Sequence, residues 1–142
     1  GDRGPYAQMI RGLTEELQLS DDVIFTGYIP DEDLQYVYNL ADLFLFPTNH
    51  EAFGIAALEA MACSTPVIAS NKYALPEVTG DAAVLVDPAS VEEIADAVVR
   101  VLGSKQIRQG MIERGLERSK LFSWEGCARE TLKVYEELDD AQ

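Results

Sequence analysis

Four short, uninterrupted apolar runs place the strongest constraint on how this chain can fold. None of them alternates between apolar and polar residues, and they end at turn-forming residues such as Gly27, Pro47 and Asp87. Continuous apolar runs are typical of strands that are covered on both faces, as in a parallel sheet. The sequence therefore predicts four buried strands, at residues 23–26, 43–46, 67–69 and 83–86.

Helical patterns alternate with these runs. Pro5 suits a first helical turn, Asp31 suits a helix cap, and Ser90 with Glu93 forms a capping box. We predict an α/β fold, a Rossmann-like parallel sheet with helices on both faces and right-handed crossovers. The predicted helices are residues 5–17, 31–41, 54–62, 90–102, 106–120 and 124–138.

Composition and charge limit the partners of the chain. With 142 residues and 47% hydrophobic residues, it is one globular domain or part of one. It has 11 basic and 25 acidic residues, a net charge of −14. That charge argues against nucleic acid or an anionic membrane surface as a partner. The negative charge does not exclude a small anion as a ligand, because the N–H groups of a helix N-terminus can hold a phosphate.

The cysteines indicate neither a metal nor a disulfide. Cys63 and Cys127 form no C-x-x-C pair, and no cluster of Cys and His occurs in the sequence. We expect two reduced thiols and no metal site. No signal peptide or bilayer-length apolar run is present, so the expected location is the cytoplasm, with the inner face of the membrane as an alternative. Because four strands are few for a doubly wound sheet, we expect the N-terminal strands of the domain to be missing.

The chemistry is expected where the second predicted strand meets the next helix. Ligands of open α/β sheets bind outside the carboxyl ends of the strands, which is where Glu51 and Gly54 fall. Gly54 allows close approach to the backbone, and we expect the N–H groups of Gly54, Ile55 and Ala56 to be free for a phosphate. The carboxylate of Glu59, one turn further on, can accept hydrogen bonds from vicinal hydroxyls such as those of a ribose.

At this point the sequence resembles a known family. The pair Glu51-x7-Glu59 with Phe53-Gly54 is similar to the E-x7-E motif of the retaining GT-B glycosyltransferases, of family 4 (group 1) above all. The resemblance extends over residues 23–138 through an ordered set of motifs. These are FTGYIP at 25–30, LEAMA at 58–62, TPVIAS at 65–70, LPEV at 75–78, GDA at 80–82, LVDP at 85–88 and FSW at 122–124.

The resemblance implies an enzyme that transfers a hexose from a nucleoside diphosphate sugar to a hydroxyl acceptor with retention. It implies that Glu59 accepts hydrogen bonds from the ribose, and that Glu51 contacts the transferred sugar or faces the reacting centre without acting as a nucleophile. No metal and no cofactor are implied. The acceptor is a glycan, a lipid or a small molecule, and polysaccharide biosynthesis is the usual setting.

The same resemblance assigns backbone groups to the donor. The amides around Phe53, Gly54 and Ile55 are implied to meet the sugar and the diphosphate, whereas Tyr28 and Ile29 are implied to read the base through main-chain groups. For the side chains of Phe53 and Ile55 we expect a place in the core. The only histidine of the chain, His50, is expected to be an exposed loop residue.

Several positions depart from the family pattern. Ala52 stands for a glycine, Ala56 for a proline, Ser64 for a glycine, and residues 72–74 for a Gly-Gly turn. The family's basic pair for the diphosphate and its acceptor-binding N-terminal domain are not within these residues. We therefore expect residues 1–142 to be a partial C-terminal nucleotide-sugar-binding domain that lacks turnover alone. The exposed sheet edge predicts self-association, and membrane contact would come only through the absent domain.

Three alternatives remain open from the sequence. The first is a synthase or phosphorylase on the same fold, such as a sucrose or glycogen synthase relative. The second is a non-catalytic module that binds a nucleotide sugar or a partner through its sheet edge, and the third is a flavodoxin-like or receiver fold. On spacing alone, Glu51 and Glu59 would be ordinary surface carboxylates, and only the flanking motifs favour a site.

Overall fold

The computed structural model describes residues 4–139, which divide into two compact units. The first unit ends at Leu34 and the second begins at Gln35. The division falls within helix α2, Asp31–Leu40, which carries three acidic residues in its first turn. Asp31 thus lies inside the helix rather than before it as a cap, one position from where the sequence pattern placed it.

The first unit contains helix α1, Pro5–Glu16, and the segment that follows it. Pro5 lies in the first turn, as predicted, where its missing N–H costs nothing. The Thr14 hydroxyl is buried and donates to the Ile10 carbonyl at 2.8 Å. The following segment contacts the helix: the Arg11 guanidinium lies 4.2 Å from the ring centroid of Phe25.

The strand predicted at residues 23–26 does not form. These residues have no regular secondary structure, and Ile24 is 86% exposed. A strand needs a neighbour for its N–H and C=O groups. Within residues 4–139 the sheet has three strands, and none pairs with this segment. The apolar run alone therefore does not create a strand.

The second unit is built on a parallel sheet of three strands in the order β1-β2-β3. They are β1, Phe44–Phe46; β2, Val67–Ser70; and β3, Ala83–Val86. Phe44 pairs with Val67, and Val67 pairs with Ala83. Three of the four predicted strands are thus confirmed, as is their parallel arrangement. The predicted self-association through a sheet edge stays a prediction.

Among the described residues, five further helices lie wholly within this unit, after the part of α2 that it contains. The capping box of Ser90 is confirmed in part, since the Ser90 hydroxyl accepts from the Glu93 N–H at 3.2 Å. The sequence missed one short helix, Leu75–Thr79, which is only five residues long. The helices are α3, Ile55–Ala62; α4, Leu75–Thr79; α5, Val91–Gly103; α6, Lys105–Ser119; and α7, Trp124–Asp139.

Two apolar clusters cover the two faces of the sheet. Val67 and Ala69 point into one cluster, with α3 and α4, and Ile68 between them points into the other, with α5 and α6. All four residues of β2 are buried. This is the α/β arrangement with helices on both faces that the sequence predicts. No helix among the described residues is long and apolar enough to cross a membrane.

Two valines of α5 test this assignment. Val101 is fully buried in the second cluster, whereas Val99 is 72% exposed. We expect Val101→Ala to lower the free energy of unfolding by about 1.5–3 kcal/mol because buried apolar contact is lost. Val99→Ala, the same change on the same helix, is expected to stay within about 0.5 kcal/mol of the wild type. Urea unfolding measures both, and equal losses would contradict the assignment.

Candidate functional site

The loop after β1 brings the first candidate residues to the carboxyl edge of the sheet. The strand ends at Phe46, and a compact turn follows in which the Thr48 hydroxyl accepts from the His50 N–H at 3.2 Å and donates to the His50 carbonyl at 2.9 Å. Such a local turn fixes the backbone just before Glu51. Helix α3 then begins at Ile55.

The carboxylate of Glu51 accepts hydrogen bonds from the backbone just before α3. Its Oε1 accepts hydrogen bonds from the N–H groups of Phe53 at 3.2 Å and of Gly54 at 3.0 Å. A carboxylate is favourable here because the helix N-terminus carries partial positive charge and unpaired donors. Glu51 is half-buried in this position. The carboxylate and the amides that the sequence assigns to one site are therefore in direct contact.

This contact corrects one expectation. The sequence predicts free N–H groups at Gly54, Ile55 and Ala56, yet the Gly54 N–H is bonded to Glu51. The sequence locates the start of a helix, where N–H groups have no backbone acceptor. It does not show that the side chain of a residue three positions earlier can act as the acceptor. Within residues 4–139, no hydrogen bond uses the N–H groups of Ile55 and Ala56.

Gly54 is required on two grounds. Its φ is +106°, which L side chains rarely adopt. A Cβ at this position would also lie 2.7 Å from Leu75 Cδ2. A larger residue would therefore have to displace the end of the buried Leu75 side chain as well as adopt a strained backbone conformation.

Glu59 is exposed and has a partner that the sequence did not indicate. Its Oε2 accepts a hydrogen bond from the Tyr38 hydroxyl at 3.2 Å. The Tyr38 ring also packs edge-on against Phe44, with centroids 5.5 Å apart. Burial, and then the negative charge of Glu59, raise the pKa of Tyr38 to about 12. Burial and the same carboxylate also raise the pKa of the Cys63 thiol.

The side chains of Phe53 and Ile55 are not in the core. They are 44% and 47% exposed, because Phe53 precedes the helix and Ile55 begins it on the outer side. Phe53 meets the edge of the Phe122 ring at a centroid distance of 5.9 Å. The Arg118 guanidinium lies 5.2 Å from the Phe122 centroid and donates to the carbonyl of Val78 at 2.9 Å.

Tyr28 and Ile29 belong to the first unit. They lie in its irregular segment, after Gly27, whose φ is +69°. Tyr28 is 83% exposed and Ile29 is half-buried. The main-chain role that the resemblance gives them stays a prediction.

A basic residue that the sequence did not assign lies at the carboxyl edge of the sheet. Lys72 follows β2 and forms an ion pair at 2.9 Å with Asp87, which follows β3. The Ala89 N–H and the Lys72 ammonium hold the pKa of the Asp87 carboxyl below its usual range. No three His, Cys, Asp or Glu side chains of residues 4–139 are grouped so that they could hold a metal ion.

Comparison with known proteins identifies the family. The family described as glycosyl transferases group 1 matches residues 1–118. The chain belongs to this family. Its fold is of the GT-B type, as in the glycosyltransferases that it resembles in structure.

Two curated relatives show how much of such a protein the chain represents. It is 39% identical over 138 residues to O-antigen chain mannosyltransferase B of Escherichia coli, covering 97% of this chain and 36% of the relative. It is 36% identical over 143 residues to D-inositol 3-phosphate glycosyltransferase of Corynebacterium jeikeium, covering 99% of this chain and 34% of the relative. The chain thus spans about a third of their length.

Two solved structures share the fold. Sucrose-phosphate synthase from Thermosynechococcus elongatus superposes with a TM-score of 0.88 at 35% identity, over 98% of this chain and 36% of that one. The C-terminal domain of a glycosyl transferase group 1 family protein from Francisella tularensis superposes with a TM-score of 0.72 at 27% identity. That match covers 82% of this chain and 61% of the other.

The packing of Gly54 predicts a large mutational effect. We expect Gly54→Ala to lower the free energy of unfolding by about 2–4 kcal/mol, from backbone strain and contact with Leu75. The control is Gly103→Ala, because nothing lies within 4 Å of a Cβ there. It is expected to leave stability unchanged or raise it by up to about 1 kcal/mol. Urea unfolding measures both, and a neutral Gly54→Ala would refute the tight packing.

The Tyr38–Glu59 contact predicts a late phenol titration. Because the pKa is raised from 10.0 to about 12, the neutral phenol contributes stability that is complete below pH 10. That contribution is lost as the pH rises through 12. Phenolate absorbance should show one tyrosine titrating last, and this step should disappear in Tyr38→Phe. In Glu59→Gln the same step should move to lower pH, and an unchanged titration in both variants would contradict the contact.

Proposed function

We propose that this chain is the donor-binding part of a retaining glycosyltransferase of the family 4 type, which transfers a hexose from a nucleoside diphosphate sugar to a hydroxyl acceptor. One observation carries the proposal. The loop after β1 leads into helix α3, where the Ile55 and Ala56 N–H groups are unused and the exposed Glu59 carboxylate lies one turn further on. A phosphate cradle and a hydroxyl acceptor on one helix suit a nucleoside diphosphate.

The diphosphate is proposed to bind at the start of α3. The Ile55 and Ala56 N–H groups offer two donors, and the helix dipole adds positive potential. The N–H groups of Phe53 and Gly54 become available when the Glu51 carboxylate moves away. As the bond to the hexose breaks, negative charge grows on the diphosphate, and fixed donors of this kind stabilise that charge in the transition state.

Glu59 is proposed to bind the ribose. Tyr38 donates to Oε2 alone, which leaves Oε1 and the remaining lone pairs for two vicinal hydroxyls. A phenol is protonated at neutral pH, and the pKa of Tyr38 is raised further, to about 12, so Tyr38 donates to the carboxylate throughout the neutral range.

Glu51 is proposed to contact the transferred hexose or to face the reacting centre. It is not proposed as a nucleophile. Retention of the anomeric configuration belongs to the same proposal. No metal and no further cofactor are part of it.

The names of the relatives support a hexose as the transferred group. The Escherichia coli relative is a mannosyltransferase named for O-antigen, which supports a glycan acceptor and a role in polysaccharide biosynthesis. A lipid or a small molecule is the other acceptor class that we propose, with a cytoplasmic location. The remaining two thirds of such a protein would supply the acceptor domain, and any membrane contact would come from there.

A second candidate is a synthase relative. The similarity to sucrose-phosphate synthase, with a TM-score of 0.88, favours it over a non-catalytic module. Both candidates use the same donor site and differ in the acceptor. Transfer to a free sugar phosphate rather than to a glycan would distinguish them.

Calorimetry tests the donor site directly. We expect the chain to bind one of UDP, GDP or ADP, with or without its hexose, and Glu59→Gln to weaken that binding about 10- to 100-fold. The reason is that hydrogen bonds to a charged group contribute about 1.5–3 kcal/mol.

The matched control is Glu137→Gln, which neutralises an exposed carboxylate on α7. It is expected to bind like the wild type. A chain that is folded by circular dichroism and binds none of these nucleotides would refute the donor site. Equal losses in both variants would show that only net charge matters.

A further inference from the structure

Two exposed aromatic rings meet at the carboxyl edge of the sheet. His50 lies in the loop after β1 and Tyr73 in the loop after the neighbouring strand β2. Their ring centroids are 5.2 Å apart and the planes are inclined by 38°. Both side chains are exposed, Tyr73 by 60%. His50 is thus the exposed loop residue that the sequence predicts, but it has an aromatic partner.

Tyr73 occupies its position at a conformational cost. Its φ is +57°, in the left-handed region that L side chains with a Cβ disfavour. The exposed ring buries little surface in return, so folding alone does not account for a tyrosine there. Strained residues of this kind are concentrated at ligand-binding sites.

Both rings are carried by ordered loops. The Thr48 hydroxyl bonds to both the N–H and the carbonyl of His50. Next to Tyr73, the Lys72 N–H donates to the Ser70 hydroxyl at 3.2 Å and the Lys72 ammonium pairs with Asp87. A preformed aromatic surface loses little entropy when a ligand binds.

We propose that Tyr73 and His50 form a binding surface for a hexopyranose ring, which we call the aromatic platform. The inference rests on the proposed function, since it adds the sugar subsite to the nucleotide site. One face of a hexopyranose is lined by C–H groups that pack on an aromatic ring, while the phenol hydroxyl and the imidazole nitrogens can bond to its hydroxyls. His50 directly precedes Glu51, so the platform borders the proposed reacting centre.

The single histidine makes the platform directly observable. Because the chain has one histidine, the imidazole signal of His50 is unique in a proton–carbon NMR spectrum. The probes are methyl α-D-mannopyranoside, methyl α-D-glucopyranoside, GDP, GDP-mannose, UDP and UDP-glucose. We expect at least one hexose-containing probe to shift the His50 signal more than the nucleoside diphosphate alone does.

Three variants of Tyr73 and one control variant distinguish an effect on binding from an effect on stability. Tyr73→Ala is expected to weaken binding of the hexose-containing probe about 3- to 10-fold without changing the affinity for the nucleoside diphosphate, and Tyr73→Phe is expected to retain most of it. Tyr73→Gly removes the ring and the backbone strain together, so hexose affinity should fall while the urea midpoint does not. Tyr135→Ala, at an exposed tyrosine of α7, is the control and should change neither.

The outcomes also identify the source of the hexose and separate the two proposals. If Tyr73→Ala loses affinity only for GDP-mannose or UDP-glucose, the aromatic platform binds the donor sugar. If it loses affinity only for a methyl hexoside, the platform binds the acceptor.

If Tyr73→Ala binds the nucleotide and every hexose-containing probe as the wild type does, the platform is overturned and the donor site stands. Methyl hexoside binding without any nucleotide binding keeps the platform and overturns the donor site, and no binding of any probe overturns both.

Discussion

The central strand β2 is the element on which the rest of the second unit depends. All four of its residues are buried, and it pairs with β1 on one side and β3 on the other. Its side chains alternate, so Val67 and Ala69 enter one apolar cluster and Ile68 the other. Because the three strands are parallel, their carboxyl ends form one edge, and the loops carrying Glu51, Lys72 and Asp87 all begin there.

At that edge, backbone geometry decides what the site can hold. Gly54 turns the chain into α3 with a φ of +106°, and a Cβ there would lie 2.7 Å from Leu75 Cδ2. This turn lets the Glu51 carboxylate reach two N–H groups of its own loop. Glu59, about one turn into α3, is held separately by a hydrogen bond from Tyr38 of α2. The two glutamates therefore differ in what holds them, a backbone for one and a phenol for the other.

Most of the fold could be predicted from the sequence, because the relevant signals are local. The apolar runs of β1 to β3, the first-turn Pro5 and the Ser90 cap each involve residues within a few positions of one another. The predicted strand at 23–26 failed because strand formation depends on a neighbour, which no local pattern records. The Tyr38–Glu59 bond spans 21 positions, and the partner of the Gly54 N–H depends on a side-chain conformation. The first of these contacts depends on the tertiary structure and the second on a local side-chain conformation, and the sequence pattern records neither.

The bond between Glu51 and its own loop has a consequence for ligand discrimination. The N–H groups of Phe53 and Gly54, just before α3, already hold an anion that is part of the chain and therefore loses no translational freedom when it binds. A simple anion such as chloride or inorganic phosphate gains little by displacing it, since one charge replaces another. A ligand that also offers hydroxyls and an apolar ring face brings interactions that the carboxylate lacks. At the Phe53 and Gly54 N–H groups we therefore expect the Glu51 carboxylate to compete with a small anion for the same donors, and to give way only to a ligand that makes further contacts.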